Sequence, residues 1–305
     1  MQSLSDIWRR WRRQIKASAP FVRRREYRIV ERKYARLIES VNGLATPATK
    51  ARVQVHKLPA HSLAGDVCLF VTHAPKVTLK THVVHHLLAL LGAGVQVILI
   101  ANTEQKADTL LIDADLAARL SGVLVRENTG FDFGAWAHAW CLLDHAAWQR
   151  LYLVNDSIVG PLDPASFTQM MSRINSSRAD FMGLTESLAP VRHLQSYFLV
   201  FNRSVLIEPA FDRLMRGVVN FSDKGQVVDV YECRLTQRLC AWGLHFEALF
   251  PALTTDVNNS DDTSIRWRQL IEAGFPYLKT RVIQQFPDDH QVKTARISGQ
   301  LDSQI

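Results

Sequence analysis

A chain of 305 residues, 47% hydrophobic and 21% charged, has the composition of a soluble globular protein with one large domain or two small ones. Four cysteines (Cys68, Cys141, Cys233 and Cys240) form no CxxC pair and have no histidine at zinc-finger spacing, so they read as reduced thiols rather than a disulfide framework. The net charge of +7 is uneven: residues 1–36 hold twelve Lys and Arg against Asp6, Glu26 and Glu31, a local +9 that leaves the remainder at −2 and argues against a body built to bind nucleic acid.

Within the first sixteen residues Leu4, Trp8, Trp11 and Ile15 fall on one side of a helix, with Arg9, Arg10, Arg12, Arg13 and Lys16 around the rest. Such a helix suits the headgroup region of an anionic leaflet; docking of both tryptophans on the protein's own body is the alternative. Pro20 breaks the segment, and a second charged helix is expected from about Arg24 to Val41, so that residues 1–41 form a basic helical extension. Residues 42–65, with Gly43, Pro47, Pro59 and Gly65, read as a linker or irregular edge. No apolar run approaches the roughly 20 residues that span a bilayer, and no signal-peptide core follows the N-terminal arginines. The expected location is therefore the cytoplasm, peripheral at the inner face of a bacterial plasma membrane.

From residue 66 the rhythm is regular. Val67–Val71 is a continuous apolar run, as in a strand buried on both faces, and residues 78–91 carry apolar positions at helical spacing up to Gly92. Val95–Ile100, Val123–Val125 and Leu151–Val154 read as further strands; Asp108–Leu120 and Phe131–Leu143 read as helices. This alternation predicts an α/β fold with a mostly parallel sheet flanked by helices. Ligands of such sheets bind beyond the carboxyl ends of the strands, where Thr72, Asn102, Arg126-Glu127-Asn128 and Asn155-Asp156-Ser157 are expected to share one crevice. In the second half Phe181–Leu184 and Tyr197–Phe201 read as strands, and Pro209–Val218, Tyr231–Trp242 and Ser264–Ala273 as helices.

Two segments carry the chemistry: Arg126-Glu127-Asn128-Thr129-Gly130-Phe131-Asp132-Phe133-Gly134-Ala135-Trp136, and Tyr152 to Leu162 with Asn155-Asp156-Ser157 at its centre. The first delivers a helix N-terminus, a natural seat for a diphosphate. Asp132 in its first turn is either a capping carboxylate or a contact to donor sugar or ribose. Asp156 is either part of an Asx-turn or a ligand to a divalent cation bridging two phosphates.

Together these segments resemble the rhamnan synthesis protein F family of bacterial polysaccharide glycosyltransferases, whose members carry N-x-G-x-D-x-G-x-W followed by a strand ending in N-D-S-x-x-G-P. The likeness spans about residues 66–285 and includes Gly183-Leu184-Thr185-Glu186-Ser187, His193 to Phe201, and Phe275-Pro276-Tyr277-Leu278-Lys279. It implies a GT-A-like (Rossmann-like) fold, with a nucleotide-sugar-binding half over 66–160, an acceptor and catalytic half of the same domain over 161–290, and a polar tail over 291–305. It also implies transfer of a sugar, rhamnose or another deoxyhexose, from a nucleotide diphosphate to a growing surface polysaccharide or lipid-linked glycan. Donor contacts are expected from Thr72, Asn102, Arg126, Asn128, Gly130, Asp132, Asn155 and Ser157, and acceptor contacts from His193, Ser196 and Tyr197. Asp156 stands at the D-x-D position of GT-A enzymes as the candidate Mn²⁺ or Mg²⁺ ligand. Glu232, in Tyr231-Glu232-Cys233-Arg234, resembles the acidic residue that opens a helix and serves as catalytic base; stabilisation of the helix dipole is its alternative. His193 and His245 are candidates for late metal ligands or acceptor contacts, beside the structural role commoner for a lone histidine. A non-catalytic nucleotide-sugar or glycan-binding subunit is the competing function, and a dinucleotide oxidoreductase would need the G-x-G-x-x-G that the first strand lacks.

Overall fold

The computed structural model describes residues 28–33, 45–59, 61–76, 78–105 and 110–297. The helix expected over the first sixteen residues lies outside them. Residues 28–33 are helical, and Glu31 holds them to the body through Arg238, whose Nε and Nη2 donate to its carboxylate at 3.0 and 3.1 Å.

One sheet organises the chain. Its elements in order are β1 (Val53–Lys57), β2 (Gly65–His73), α1 (Thr81–Gly92), β3 (Gln96–Thr103), α2 (Ala114–Arg119), β4 (Gly122–Glu127), α3 (Phe131–Leu142), β5 (Trp148–Asn155), α4 (Pro164–Ser176), β6 (Phe181–Ser187), β7 (Phe198–Asn202), α5 (Pro209–Arg216), α6 (Cys233–Ala241) and β8 (Phe246–Phe250). The strands lie in the order β8-β6-β7-β5-β2-β3-β4-β1. β5, β2, β3 and β4 are mutually parallel, as are β6 and β8, while β7 and the edge strand β1 run antiparallel to their neighbours. The expected mostly parallel α/β sheet flanked by helices is what forms.

The strands bury both faces with period two. Val67, Leu69 and Val71 face one core with α3, α5 and α6; Cys68 and Phe70 face the other with α1 and α4. Helix α3 is buried along most of its length, from Phe133 to Trp140, which is why its sequence is apolar all round rather than striped. A third cluster of Val159, Trp267, Leu278, Val282, Ile283 and Val292 closes the C-terminal end.

Several elements differ from the sequence expectation. Residues 53–57 of the expected linker form an edge strand whose Lys57 Nζ caps α2 through the carbonyls of Ala117, Ala118 and Leu120. Helix α2 starts only at Ala114, because the Asp113 carboxylate caps the amides of Asp115 and Leu116. The helix expected over 264–273 is broken at Arg266 into Asp262–Ile265 and Trp267–Glu272. The polar tail begins inside a helix, His290–Ile297, whose Val292 is fully buried.

Candidate functional site at the carboxyl edge of the sheet

At the end of β5 the period of two decides which side chains meet. Leu153 faces the α3 side and Val154 the α1 side, so Asn155 turns toward α3 and Asp156 toward α1. Asn155 Nδ2 donates to Asp132 Oδ2 at 2.8 Å, and Asn155 Oδ1 accepts from Ser157 N and Oγ at 3.0 and 2.7 Å. Asp156 Oδ2 accepts from Thr72 Oγ1 at 2.8 Å, from the His73 amide at 3.1 Å and from Lys80 Nζ at 2.8 Å. Asp156 therefore lies close enough to Asp132 for their charges to interact, but its side chain is not among those lining the cavity with Asp132 and Asn155. Its Oδ2 is occupied by a lysine and two further donors, and its charge is already balanced by Lys80, which fits a metal ligand less well than a free carboxylate. Among the described residues no group of three His, Cys, Asp or Glu could hold a metal ion.

The N-x-G turn is built around an arginine. Arg126, expected at the donor, is 1% exposed and spends its guanidinium inside the protein. Its Nη1 donates to the carbonyls of Glu127 and Thr129 at 3.1 and 2.6 Å, its Nη2 to Ala48 O and Asn220 Oδ1 at 3.2 and 2.8 Å, and its Nε to His138 Nδ1 at 3.3 Å. Burial lowers its pKa to about 10. Asn220 arrives through a two-residue pairing of Val219–Asn220 with Thr46–Pro47. It packs so tightly on the turn that a Cβ on Gly130 would lie 2.3 Å from its Oδ1, and one on Gly134 2.6 Å. Gly130 has φ +70° and Phe131 φ +51°, so the chain enters α3 through two successive left-handed residues. The glycines of this motif thus answer to packing around Arg126 and Asn220, and the guanidinium expected at the donor has its N–H groups turned to partners inside the protein. Asn102 is buried under the turn, its Nδ2 donating to Phe131 O at 3.5 Å. Asn128 donates to Glu104 Oε1 at 2.6 Å, beside His73 on the rim.

Glu232 lies elsewhere than the sequence suggests. The helical run begins at Lys224, widens to a π-turn over Val228–Glu232 and continues as α6. Glu232 is thus two turns inside the run, and the helix-dipole alternative loses its premise. Such widened turns recur at functional sites because they re-aim a side chain. Ser196 Oγ donates to Glu232 Oε2, and His193 Nε2 lies 3.7 Å from Oε1. Burial pushes the Glu232 carboxyl up, but His193, Ser196 and the charge on Lys279 outweigh it and hold it below the usual range. Burial alone would depress His193; its contacts with Cys233, Glu232 and the Val191 carbonyl raise it to about 10. His193 therefore stands behind Glu232 as a cation, its Nδ1 fixed on Val191 O at 2.7 Å. His245 is far more exposed and pairs with Asp180.

A cavity of about 380 Å³ collects these groups. Of the expected residues it is lined by Asp132, Asn155, Ser157, Ser196, Tyr197 and Glu232. Thr72 and Asp156 lie on the α1 side, Asn128 on the rim, and His193 behind the wall. Sequence reasoning missed Lys224, Asp261, Lys279 and Arg281, which also line it. Lys279 ends the Phe275–Lys279 motif, so a signal existed; the others carry none. Lys279 Nζ sits 4.0 Å from the centre of the Tyr197 ring, and burial lowers its pKa to about 8.

Burial, then the neighbouring Asp156 charge, push Asp132 up to about 7. A carboxyl raised on folding favours the native state below its unfolded pKa and loses that contribution as pH rises through the folded value. Stability is therefore expected to fall between about pH 4 and pH 8, by up to roughly 4 kcal/mol for this group. Asp132→Asn should flatten that slope in thermal melts across the range; an unchanged slope would show that Asp132 is ionised throughout.

A family model described as rhamnan synthesis protein F matches residues 97–303. The virulence protein VirA of Vibrio anguillarum is 25% identical over 214 residues, covering 58% of this chain and 67% of VirA. The uncharacterised protein y4gN of Sinorhizobium fredii is 25% identical over 195 residues, which cover 62% of this chain and 49% of that protein. A solved structure from Desulfovibrio desulfuricans, provisionally described as a nucleotide-diphospho-sugar transferase, covers 76% of this chain and 98% of its own at 16% identity and a TM-score of 0.36.

Proposed function

The chain belongs to the rhamnan synthesis protein F family, and from that premise we propose that it transfers a sugar from a nucleotide diphosphate donor to a growing surface polysaccharide or lipid-linked glycan. Rhamnose or another deoxyhexose is the sugar proposed. The observation that carries the reading is Glu232, an ionised carboxylate facing a polar cavity at the carboxyl edge of an α/β sheet and held there by Ser196 and His193. Glu232 takes the proton of the acceptor hydroxyl as that oxygen attacks the anomeric carbon; the bond from that carbon to the diphosphate breaks, and the nucleoside diphosphate leaves with its electrons. His193 acts through Glu232 as a positioning residue. Asp132 and Asn155 face the donor's hydroxyls, and Ser196 and Tyr197 the acceptor. Screening UDP-, dTDP- and GDP-sugars for release of the nucleoside diphosphate tests the reading. Hydrolysis or transfer with one of them is expected, and no turnover with any would leave the binding-subunit alternative in its place.

The basic extension is proposed to hold the enzyme on anionic lipid, where donor and lipid-linked acceptor meet. No helix among the described residues is long and apolar enough to cross a membrane. Each basic residue near such a surface contributes on the order of 1 kcal/mol, weakening with salt. Removing residues 1–16 should abolish co-sedimentation with phosphatidylglycerol vesicles while leaving the melting temperature unchanged. Equal sedimentation of both proteins would instead place the two tryptophans on the body.

A further inference from the structure

We propose that the cavity binds the donor's diphosphate through Lys279 and Lys224, with Arg281 beside them, and needs no divalent cation to do so. This rests on the transferase reading for the identity of the ligand, but the observations behind it are separate. Three carboxylates line the cavity, and each is committed elsewhere. Asp261 is paired with Arg281 and accepts from Thr263 Oγ1 at 2.7 Å. Glu232 is held by Ser196 and His193. Asp132 accepts from Asn155 Nδ2 at 2.8 Å, and burial raises its pKa to about 7. At the D-x-D position the two side chains that face the cavity are Asn155 and Ser157, neither of them a carboxylate, while Asp156 faces Lys80 on the other side.

The cations are in the opposite condition. Lys279 Nζ rests on the face of Tyr197, and neither it nor Lys224 Nζ has a hydrogen bond to a carboxylate among the described residues. Two ammonium groups in one concave site repel each other; burial is the first cause of the lowered Lys279 pKa and Lys224 adds to it, while the charges of Glu232 and Asp132 offset part of the lowering. A diphosphate diester carries two negative charges and a fan of acceptor oxygens, so it relieves the repulsion and satisfies the free donors together. A divalent cation in the same place would meet two ammonium groups and at most one uncommitted carboxylate. Lysines then neutralise the charge that develops on the leaving diphosphate, the task a metal performs in other sites.

The test is titration calorimetry of the full-length protein with inorganic pyrophosphate, then with UDP, dTDP and GDP, in EDTA and in Mn²⁺. Affinities with and without metal are expected to agree within about threefold. Lys279→Met should weaken pyrophosphate binding by about tenfold and the exposed Lys224→Gln by about threefold, with unchanged melting temperatures certifying the fold. Binding should also weaken above about pH 8 as Lys279 loses its proton. Binding seen only with Mn²⁺, binding unchanged in both variants, or no binding at all would each overturn the proposal. Farnesyl diphosphate binding more tightly than every nucleotide would move the site to the acceptor and overturn it as a donor site. The two readings fail separately: metal-dependent sugar transfer would leave the transferase intact and sink the lysine site, whereas metal-free diphosphate binding with no transfer would do the reverse.

Discussion

Glu232→Gln is expected to lower the turnover number by about 10²–10⁴-fold, the usual contribution of a general base, with donor affinity close to wild type. The amide keeps the shape of the side chain and can still accept from Ser196, so the cavity keeps its form while the proton acceptor is lost. Because Glu232 is held below the ordinary carboxylate range, the wild-type enzyme should keep its base ionised well into mildly acid solution. The acidic limb of its pH profile should therefore lie low, and it should vanish in the variant. His193→Gln provides the companion measurement. A histidine that only fills space would leave that limb in place, whereas loss of a cation at 3.7 Å should move it upward. Turnover retained in Glu232→Gln would remove Glu232 from the reaction and make Asp132, a second carboxylate facing the cavity, the base to test.

Arg126→Met is expected to destabilise the protein by roughly 3–5 kcal/mol, because it deletes a buried charge whose partners stay behind. The carbonyls of Ala48 and Thr129 and the amide oxygen of Asn220 would each lose a donor, and Ala48 and Asn220 are buried away from water. At roughly 2–4 °C per kcal/mol for a chain of this size, the melting temperature should fall by on the order of 10 °C. Donor binding measured well below the new melting point should suffer less than stability. A variant that melts like wild type but no longer binds nucleotide would restore Arg126 to the donor site. Asn220→Leu should reproduce much of the instability, since the same network loses its other end.

The repeating pattern of this chain is local, and it was legible. Apolar runs at 67–71, 95–100 and 151–154 alternate with helical periodicity, and parallel strands follow because each run needs both faces covered. Edge strand β1 was not legible: it is half exposed, Val55 among its exposed residues, and it pairs on one side only, so no apolar run announces it. The start of the helix around Glu232 was lost for a related reason. Asp223 caps it through the Gln226 amide, but Gly225 and the π-turn disturb the period that would have marked it.

By itself the sequence determined the α/β class and the strand ends, and six of the residues it singled out (Asp132, Asn155, Ser157, Ser196, Tyr197 and Glu232) line one cavity. The tertiary structure decided which way the polar residues turn. Adjacent residues at a strand end point to opposite faces, so Asn155 and Asp156 part company, and only the packing of α1 and α3 on the two faces says which side is the cavity. It also decided that Arg126 is buried, because its partners come from Ala48 and Asn220, far away along the chain in both directions. The cations of the cavity are of the same kind: Lys224 and Lys279 stand in unrelated segments with no shared motif, and they become one site only when the fold closes the distance between them.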